Sequence, residues 1–424
     1  MKYVLTTVCL GLAIASAAIG GENWTSYRGP TDQGHADSTG LPLQWSEDEN
    51  VVWKTPIPGK AWSSPVIWGD RIWLTDANEA GTLLYAVCVD KNSGKVIVRK
   101  RLRLVNLPQY CHPFNSYASP SPVIEEGRVY VSFGSPYSAC LDSTTGDVIW
   151  ERTDFVCNHF RSAGSSPFLY KDLLILHFDG SDRQYVVAMD KHTGKTVWQT
   201  DRSVDFQDID PETGGPKIQG DLRKGFSTPV IADVQGKPVL ISLGSMALYG
   251  YEPDTGKELW RVECIGSHSG TCRPVVGYGL VFAPMGMGAE LYAVRPDGRG
   301  EVTDTHVAWE YKRAVTKRPS ILLVDDLLFM VDNDGVATCV EAKTGKEVWK
   351  ERVGGNFSAS PIYANGRIYF CDETGKSTII EAAPQFKVLA VNELDDGFMG
   401  SPAVSGDALY LRTRKHLYRI EEKP

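Results

Sequence analysis

The residues best equipped to bind a ligand lie just before a series of recurring prolines. They are histidine, arginine, lysine, asparagine and aromatic side chains, each placed shortly before a proline. Arginine and lysine beside aromatic rings can hold an anionic, planar ligand such as a quinone carboxylate, through charge-assisted hydrogen bonds and stacking. The same side chains also suit a docking surface for a protein or peptide, or a water-filled funnel in which they bond one another. The candidate residues are His112, Asn115, Tyr117, His159, Arg161, His268, Arg273, Lys317, Arg318, Asn356, Phe357 and Phe398.

Metal binding and catalysis have weaker support in the sequence. His112, His159 and His268 can each ligate a metal, but they come from different repeats and nothing fixes their spacing. Residues 179–182 and 332–335 have the Asp/Gly composition of calcium loops but lack the later glutamate ligand of an EF-hand. No nucleophile elbow, Ser–His–Asp pattern or zinc spacing is present. The sequence therefore assigns no catalytic residue and no metal site.

A repeated motif organises the chain that must position these residues. Each copy has an Asp or Glu, a Thr-Gly turn and a tryptophan four residues after the glycine. Glycine permits the positive φ of such a turn, the acidic and Thr side chains bond the local backbone, and the tryptophan can bury its face against a neighbouring repeat. A weaker copy at residues 90–98 ends in Val98, and residues 295–309 form a stretched copy. The full copies lie at residues 142–150, 190–198, 252–260 and 341–349.

Each repeat opens on Ser, Thr or Arg followed by proline and apolar residues. The openings recur 41 to 62 residues apart, and the sixth, at Arg318-Pro319, is degenerate. Within a repeat, short alternating segments separated by tight turns predict four antiparallel strands in about 40 residues. Such units are the blades of a propeller. The eight prolines are Pro65, Pro122, Pro167, Pro229, Pro274, Pro319, Pro361 and Pro402.

The sequence therefore predicts an all-β fold: an eight-bladed β-propeller of four-stranded antiparallel blades. The eighth repeat has room for only three strands, and residues 51–57 match the strand that closes the other repeats. This N-terminal strand is expected to complete the eighth blade and close the ring. Two long insertions, residues 102–117 and 201–224, lie in loops that lead into the first strand of a blade. Because function concentrates on loops carried by a rigid scaffold, we expect the face formed by these lead-in loops to be the working face.

The N-terminus predicts export. Residues 1–20 contain Lys2, an apolar run and small residues suited to a signal peptidase, so they read as a cleaved signal peptide. Residues 21–50 form an irregular segment laid over the body, and residues 51–424 form the propeller. No other apolar run is long enough to span a bilayer. The mature chain is expected in the periplasm or outside the cell, without a transmembrane segment.

Charge and cysteine content narrow the remaining classes. A net charge of −8 without a basic stripe argues against a nucleic-acid partner. Cys88, Cys140 and Cys339 occupy similar strand positions and are expected to be buried. An exported protein can form disulfides. Cys111–Cys157 and Cys264–Cys272 bridges are the candidates, with free thiols as the alternative.

These motifs resemble the tryptophan-docked propellers of pyrroloquinoline quinone (PQQ) enzymes and of the outer-membrane assembly lipoprotein BamB. The resemblance covers residues 50–424 and is closer still to PQQ-binding-like repeat proteins of the planctomycete type, through residues 53–56, 356–361 and 396–402. It implies an eight-bladed propeller, and PQQ with calcium as a possible cofactor.

The chain departs from both groups. PQQ alcohol dehydrogenases carry a vicinal Cys-Cys pair and an acidic ion-binding set; the chain has no Cys-Cys, and the ion-binding set cannot be placed on its motifs. BamB proteins begin with a lipidated cysteine, and none is suitably placed here. The favoured function is thus an exported, non-catalytic binding or scaffold propeller, with a small anionic ligand or a cell-envelope protein on the lead-in face. The alternative is a PQQ-dependent dehydrogenase acting on an alcohol or sugar.

Overall fold

The computed structural model describes residues 21–422, which form an eight-bladed β-propeller. The predicted signal peptide, residues 1–20, lies outside the described residues. The N-terminal segment carries β1 (His35–Ala36), and β2 (Val51–Pro56) follows it. Blades one to three contain β3 (Val66–Trp68), β4 (Arg71–Ala77), β5 (Leu83–Asp90), β6 (Val96–Leu104); β7 (Val123–Glu125), β8 (Arg128–Ser132), β9 (Ser138–Asp142), β10 (Val148–Arg152); β11 (Phe168–Tyr170), β12 (Leu173–Asp179), β13 (Gln184–Asp190) and β14 (Thr196–Asp201).

Blades four and five are joined by an extra strand. Blade four contains β15 (Val230–Val234), β16 (Lys237–Leu243), β17 (Ala247–Tyr251) and β18 (Glu258–Glu263). Blade five contains β19 (Val275–Gly277), β20 (Leu280–Pro284) and β21 (Leu291–Val294), then leaves its sheet as β22 (Gly300–Glu301) and helix α1 (Thr303–His306), and returns as β23 (Val307–Tyr311). Strand β22 pairs parallel to β18, which gives blade four a fifth strand. A 3-10 segment, Lys217–Arg223, lies in the loop before blade four.

The last blades close the ring. Their strands are β24 (Leu322–Val324), β25 (Leu327–Val331), β26 (Val336–Glu341), β27 (Glu347–Arg352); β28 (Ile362–Ala364), β29 (Arg367–Cys371), β30 (Lys376–Glu381), β31 (Val388–Glu393); β32 (Ala403–Ser405), β33 (Ala408–Arg412) and β34 (His416–Ile420). Strand β2 pairs antiparallel with β34, so the fourth strand of blade eight comes from the N-terminus. The predicted fold and its closure are confirmed.

The sixth opening lies two residues later than the sequence indicated. Its first strand begins at Leu322, so Ser320 and Ile321 take the places that Ser and Pro hold in other blades. Arg318 and Pro319 instead belong to the loop before the blade.

Hydrophobic clusters fill the seven interfaces between successive blades, together with the closing interface that the N-terminal segment covers. The motif tryptophans fasten these interfaces. The indole N–H of Trp150 donates to the Lys191 carbonyl of the next blade at 2.9 Å, and a Cβ on Gly194 would lie 2.7 Å from that ring. The motif glycine is therefore needed both for its positive φ and for close packing.

In blade one a different tryptophan replaces the missing motif tryptophan. Where Val98 replaces the usual ring, Trp73 on β4 reaches the next blade and donates its indole N–H to the Ser143 carbonyl at 3.1 Å. Trp73 is completely buried. A tryptophan two strands away in the same sheet thus makes the contact with the next blade that the motif tryptophan makes elsewhere.

The N-terminal segment closes one end of the central channel. Residues 24–36, here called the axial plug, bond the first strands of blades one, two, five, six and seven. At its centre Arg28 is fully buried and donates to the carbonyls of Ile321 and Pro361. Within residues 21–422, the plug therefore fills the channel below the lead-in face.

The eight cysteines among residues 21–422 are free, and Cys88, Cys140 and Cys339 are buried as predicted. Neither candidate disulfide forms. Cys264 donates to the Glu290 carboxylate at 3.0 Å, while Cys157 lies 3.6 Å from the His159 ring. Within residues 21–422, no helix has the length and apolar character needed to span a bilayer.

Candidate functional site

A cavity of about 710 Å³ lies at the channel mouth on the lead-in face. Its floor is formed by Tyr27 of the axial plug, and its walls by lead-in loops and by Met287 and Asn333 from loops within blades. The cavity thus lies on the face where the sequence placed the working site. The other lining residues are Trp62, Ser64, His112, Phe114, Asn115, Ser119, Ser121, Arg161, Gly164, Ser166, Asp221, Lys224, Phe226, Thr228, His268, Ser269, Thr271, Arg318, Ser320, Ser358, Ser360, Met399 and Ser401.

A ring of hydroxyl groups encircles the axis inside this cavity. Seven blades have a serine or threonine directly before the position that proline usually occupies at the start of the first strand. The hydroxyl oxygen of this residue accepts a backbone N–H from the preceding blade. The N···O distances are 2.8–3.0 Å. Blade five places Arg273 at this position, so the bond from Thr228 is missing. The ring hydroxyls belong to Ser64, Ser121, Ser166, Thr228, Ser320, Ser360 and Ser401.

A three-residue ionic cluster forms one wall. Arg161 lies 3.1 Å from the Asp221 carboxylate, and the buried Lys224 ammonium bonds the same carboxylate. Desolvation acts to raise the pKa of Asp221, but hydrogen bonds from Arg161 and Lys224 outweigh it and lower the pKa. Burial lowers the pKa of Lys224 despite its acidic partner. Two cations share one carboxylate, so this wall has a net positive charge.

Arg318 forms a second cationic element. Its guanidinium stacks 4.4 Å from the centroid of Phe114 and forms an ion pair with Glu373 at 3.1 Å. Its Nε is buried and has no hydrogen-bond partner among residues 21–422. Nearby, Trp62 is held by donation to the Phe114 carbonyl at 3.0 Å. This wall therefore combines aromatic faces with an unused N–H donor.

Two histidines, His112 and His268, line the same cavity, and the pKa of each is lowered. Burial, with a contribution from Arg161, lowers the pKa of His112. Burial and then Lys224 lower the pKa of His268. Because burial lowers both imidazole pKa values, arginine and lysine are the main cations of the cavity at neutral pH.

Five of the twelve sequence candidates line the cavity: His112, Asn115, Arg161, His268 and Arg318. The other seven do not. Tyr117 and His159 border a small pocket of about 20 Å³ behind the lead-in loops. Arg273 bonds the axial plug. Lys317 and Asn356 use backbone atoms in loop contacts, and Phe357 and Phe398 belong to the hydrophobic core.

The calcium-like loops use their carboxylates internally. Asp332 accepts the amides of Asp334 and Val336, and Asp179 forms a buried bidentate pair with Arg202. His159 accepts the Ser135 amide and lies apart from the cavity histidines. Across residues 21–422 no group of three or more His, Cys, Asp or Glu is arranged to hold a metal ion.

Sequence reasoning missed Tyr27, Trp62, Phe114, Asp221 and Lys224. Asp221 and Lys224 belong to the long insertion before blade four. The sequence identified this insertion as a lead-in loop but not which of its side chains enter the cavity. The ring hydroxyls had a usable signal, since Ser or Thr precedes proline in six openings. Their common position near the axis could have marked them as cavity residues.

The buried imidazole of His159 should make stability pH-dependent. Burial lowers its pKa to about 4, so the unfolded chain, with a pKa of about 6.5, binds the extra proton first and stability is lost as pH falls through this window. We expect His159→Gln to remove about 2 kcal/mol of the loss in unfolding free energy between pH 7 and pH 5. Urea titrations at both pH values measure it. The exposed His192→Gln is the control, and an unchanged pH slope in His159→Gln would contradict the assignment.

Comparison with known proteins agrees with this architecture. A family model described as outer membrane protein assembly factor BamB matches residues 84–208 and 182–423. The quinoprotein alcohol dehydrogenase PedE of Pseudomonas putida is 27% identical over 286 residues, which cover 59% of this chain and 42% of that protein. A quinoprotein ethanol dehydrogenase of Pseudomonas aeruginosa is 26% identical over 160 residues, 35% of this chain and 23% of that protein. The chain thus spans less than half the length of these relatives.

Solved structures share the fold at low identity. BamB from Moraxella catarrhalis superposes with a TM-score of 0.61 and 13% identity, covering 88% of this chain and 97% of that one. Quinohemoprotein alcohol dehydrogenase from Comamonas testosteroni gives a TM-score of 0.66 and 12% identity, covering 96% and 82%. The family model covers most of the propeller. The chain therefore belongs to the PQQ-like β-propeller family to which the BamB assembly factors also belong.

Proposed function

We propose that the chain is an exported, non-catalytic binding propeller whose lead-in cavity holds a small, planar, anionic ligand. The observation that carries this proposal is the cavity itself: arginine and lysine side chains stand beside aromatic walls above a plugged floor. Charge-assisted hydrogen bonds and stacking are the interactions that such a ligand requires.

The charges of the cavity favour an anion. The lining contains Arg161, Lys224 and Arg318 but only one carboxylate, Asp221. The unpartnered Nε of Arg318 supplies a donor that a ligand oxygen could satisfy. A volume of about 710 Å³ falls in the usual range for small-molecule sites.

Export and a protein partner are proposed on other grounds. The signal-like residues 1–20 support export. The matching family model is described by an outer-membrane assembly factor, which supports a place in the cell envelope and a protein partner there as the alternative occupant of the lead-in face. A protein would contact the rim, whereas a small ligand would reach Tyr27.

A PQQ-dependent dehydrogenase is the second candidate, because three curated relatives are quinoprotein dehydrogenases. The cavity suits PQQ itself but not the calcium ion that accompanies it. Its cations suit the carboxylates of PQQ, but calcium prefers six to eight oxygen ligands. Asp221, the carboxylate that lines the cavity, is already bound by Arg161 and Lys224. The residues present do not fit the calcium site, so PQQ serves here as a probe ligand.

Tryptophan fluorescence tests the proposal. Titrating the mature chain with PQQ, with and without calcium, should give saturable micromolar quenching that does not depend on the metal. Trp62→Phe should remove much of the quenching, because Trp62 lines the cavity. Trp68→Phe is the matched control, since Trp68 is similarly half-buried at the opposite end of blade one. Calcium-dependent binding would favour the dehydrogenase, and no binding at high micromolar PQQ would favour a protein partner.

A further inference from the structure

Two buried guanidinium groups lie where the axial plug meets the starts of the first strands, next to Tyr27 at the cavity floor. Arg28 is fully buried and donates to the carbonyls of Gln33, Ile321 and Pro361. Arg273 is 1% exposed and donates to the Pro229 carbonyl and to Asp32 at 2.7 Å. Neither residue belongs to the ionic cluster of the cavity wall.

The positive charge of this pair is incompletely balanced. Asp32 is the carboxylate that bonds Arg273, while Arg28 bonds three neutral carbonyls. Burial, and then repulsion from Arg273, lowers the pKa of Arg28 to about 10 despite the opposing effect of Tyr27. A buried charge without a counter-charge is costly, because burial removes the water that stabilises it. The axis therefore offers a favourable environment for an anion.

Both guanidinium groups also have unused donors. Arg28 Nε and Arg273 Nη2 are buried and have no hydrogen-bond partner among residues 21–422. Buried N–H groups are almost always bonded to protein, water or ligand. Two such donors on neighbouring cations are therefore available to a bound water or ligand.

The hydroxyl ring adds donors from the cavity side. Each ring oxygen already accepts a backbone N–H, yet within the described part of the chain six of the seven hydroxyl protons have no acceptor. All these residues are more than nine-tenths buried and line the cavity. An oxygen that accepts one bond can still donate its proton, so the ring can offer O–H groups toward the axis.

The ring and the two guanidinium groups adjoin directly. Arg273 occupies the ring position of blade five and donates its backbone N–H to Ser320 at 2.9 Å. Arg28 bonds the carbonyls of Ile321 and Pro361, the residues that immediately follow ring residues Ser320 and Ser360. The hydroxyl ring and the two guanidinium groups are thus connected through adjoining residues at the base of the cavity, where the Arg273 guanidinium lies 5.9 Å from the ring centroid of the floor residue Tyr27.

We propose that a small monoanion, either a halide or the carboxylate end of a cavity ligand, binds on the axis between the hydroxyl ring and Arg28 and Arg273. This site deepens the proposed function, on which it rests for the carboxylate but not for the halide. In this site the axial plug and the hydroxyl ring make the deepest contact with the ligand. The cationic walls of the cavity then contact the rest of the ligand.

Bromide NMR tests the site on the full mature chain. The 81Br signal should broaden saturably on adding protein, and acetate should reverse the broadening if the site accepts carboxylates. Arg28→Gln should weaken bromide binding at least tenfold. Arg367→Gln is the matched control, because Arg367 also donates to a carbonyl of the N-terminal segment, at Leu41, but away from the ring residues. Its bromide affinity should equal that of the parent chain.

A second variant keeps the test decisive if Arg28→Gln does not fold. If circular dichroism shows that Arg28→Gln is unfolded, the double variant Ser121→Ala, Ser360→Ala should show the same tenfold loss, since it removes two donors. Absence of saturable broadening in the parent chain, or an unchanged bromide affinity in the folded variants, would overturn the site. Titrating the same samples with PQQ separates the two proposals: bromide binding without PQQ binding would refute only the proposed function, and the reverse result would refute only the halide site.

Discussion

A chain that begins at residue 58 should fail to form a closed ring, whereas one that begins at residue 21 should unfold in a single cooperative transition. The shorter chain lacks β2, so β34 would expose an unpaired strand edge. It also loses the Trp53 indole bond to the Lys91 carbonyl of blade one. Loss of the fourth strand removes the contact that joins the last blade to the first, and an exposed edge promotes aggregation.

A chain that begins at residue 51 separates the closing strand from the axial plug. It retains β2 but loses the buried side chains of Trp24, Leu41 and Trp45. At about 2–3 kcal/mol for each large apolar side chain, the ring should close but lose on the order of 6 kcal/mol of stability. Thermal unfolding and gel filtration of the three chains measure both effects. Equal melting temperatures for the chains starting at 51 and 58 would show that β2 does not close the ring.

Replacing Asp221 with Asn should tighten binding of a planar anion about tenfold. Asp221 neutralises one of the two cations on its wall, so its removal frees both Arg161 and Lys224 for the ligand. Charge interactions of about 1–4 kcal/mol at 4 Å correspond to roughly fivefold to several-hundredfold in affinity, and a tenfold change lies near the lower end of that range. Lys224→Met should act in the opposite direction and weaken binding by at least tenfold.

Fluorescence titration with PQQ at low and high salt checks this pair of changes. The effect of Asp221→Asn should shrink at high salt, because ions screen a partly exposed charge. Asp254→Asn is the matched control: it changes the net charge equally but alters an exposed pair with Lys171 on the opposite face. If both Asn variants shifted affinity alike, the effect would come from overall charge and not from the cavity.

The repeat motifs made the architecture predictable. The spacing of Gly and Trp in residues 142–150 and its copies encodes a turn and an interface contact, so both are readable without knowing any partner. The closing role of residues 51–57 could be predicted because blade eight lacked a strand. These features depend on local patterns that recur, and recurrence makes a weak local signal strong.

The site residues were less predictable because they depend on the direction of single side chains. Phe357 and Phe398 lie in lead-in loops, but their rings turn into the core. The sixth opening misled because Pro319 sits two residues before the usual position while Ser320 keeps the ring bond. Likewise, Trp73 fills the place of the missing tryptophan from another strand. Only three-dimensional packing shows such substitutions.

The pairing of β2 with β34 also means that the ring cannot close until the end of the chain has been synthesised. Pro56 pairs with His416, so a strand made early must wait for one made about 360 residues later. At ~5–20 residues per second, the wait is roughly 20–70 s. Until β34 is available, wherever the chain folds, β2 remains a free strand able to pair wrongly. A ribosome that stalls near the end of the message would therefore release a nearly complete molecule that cannot close.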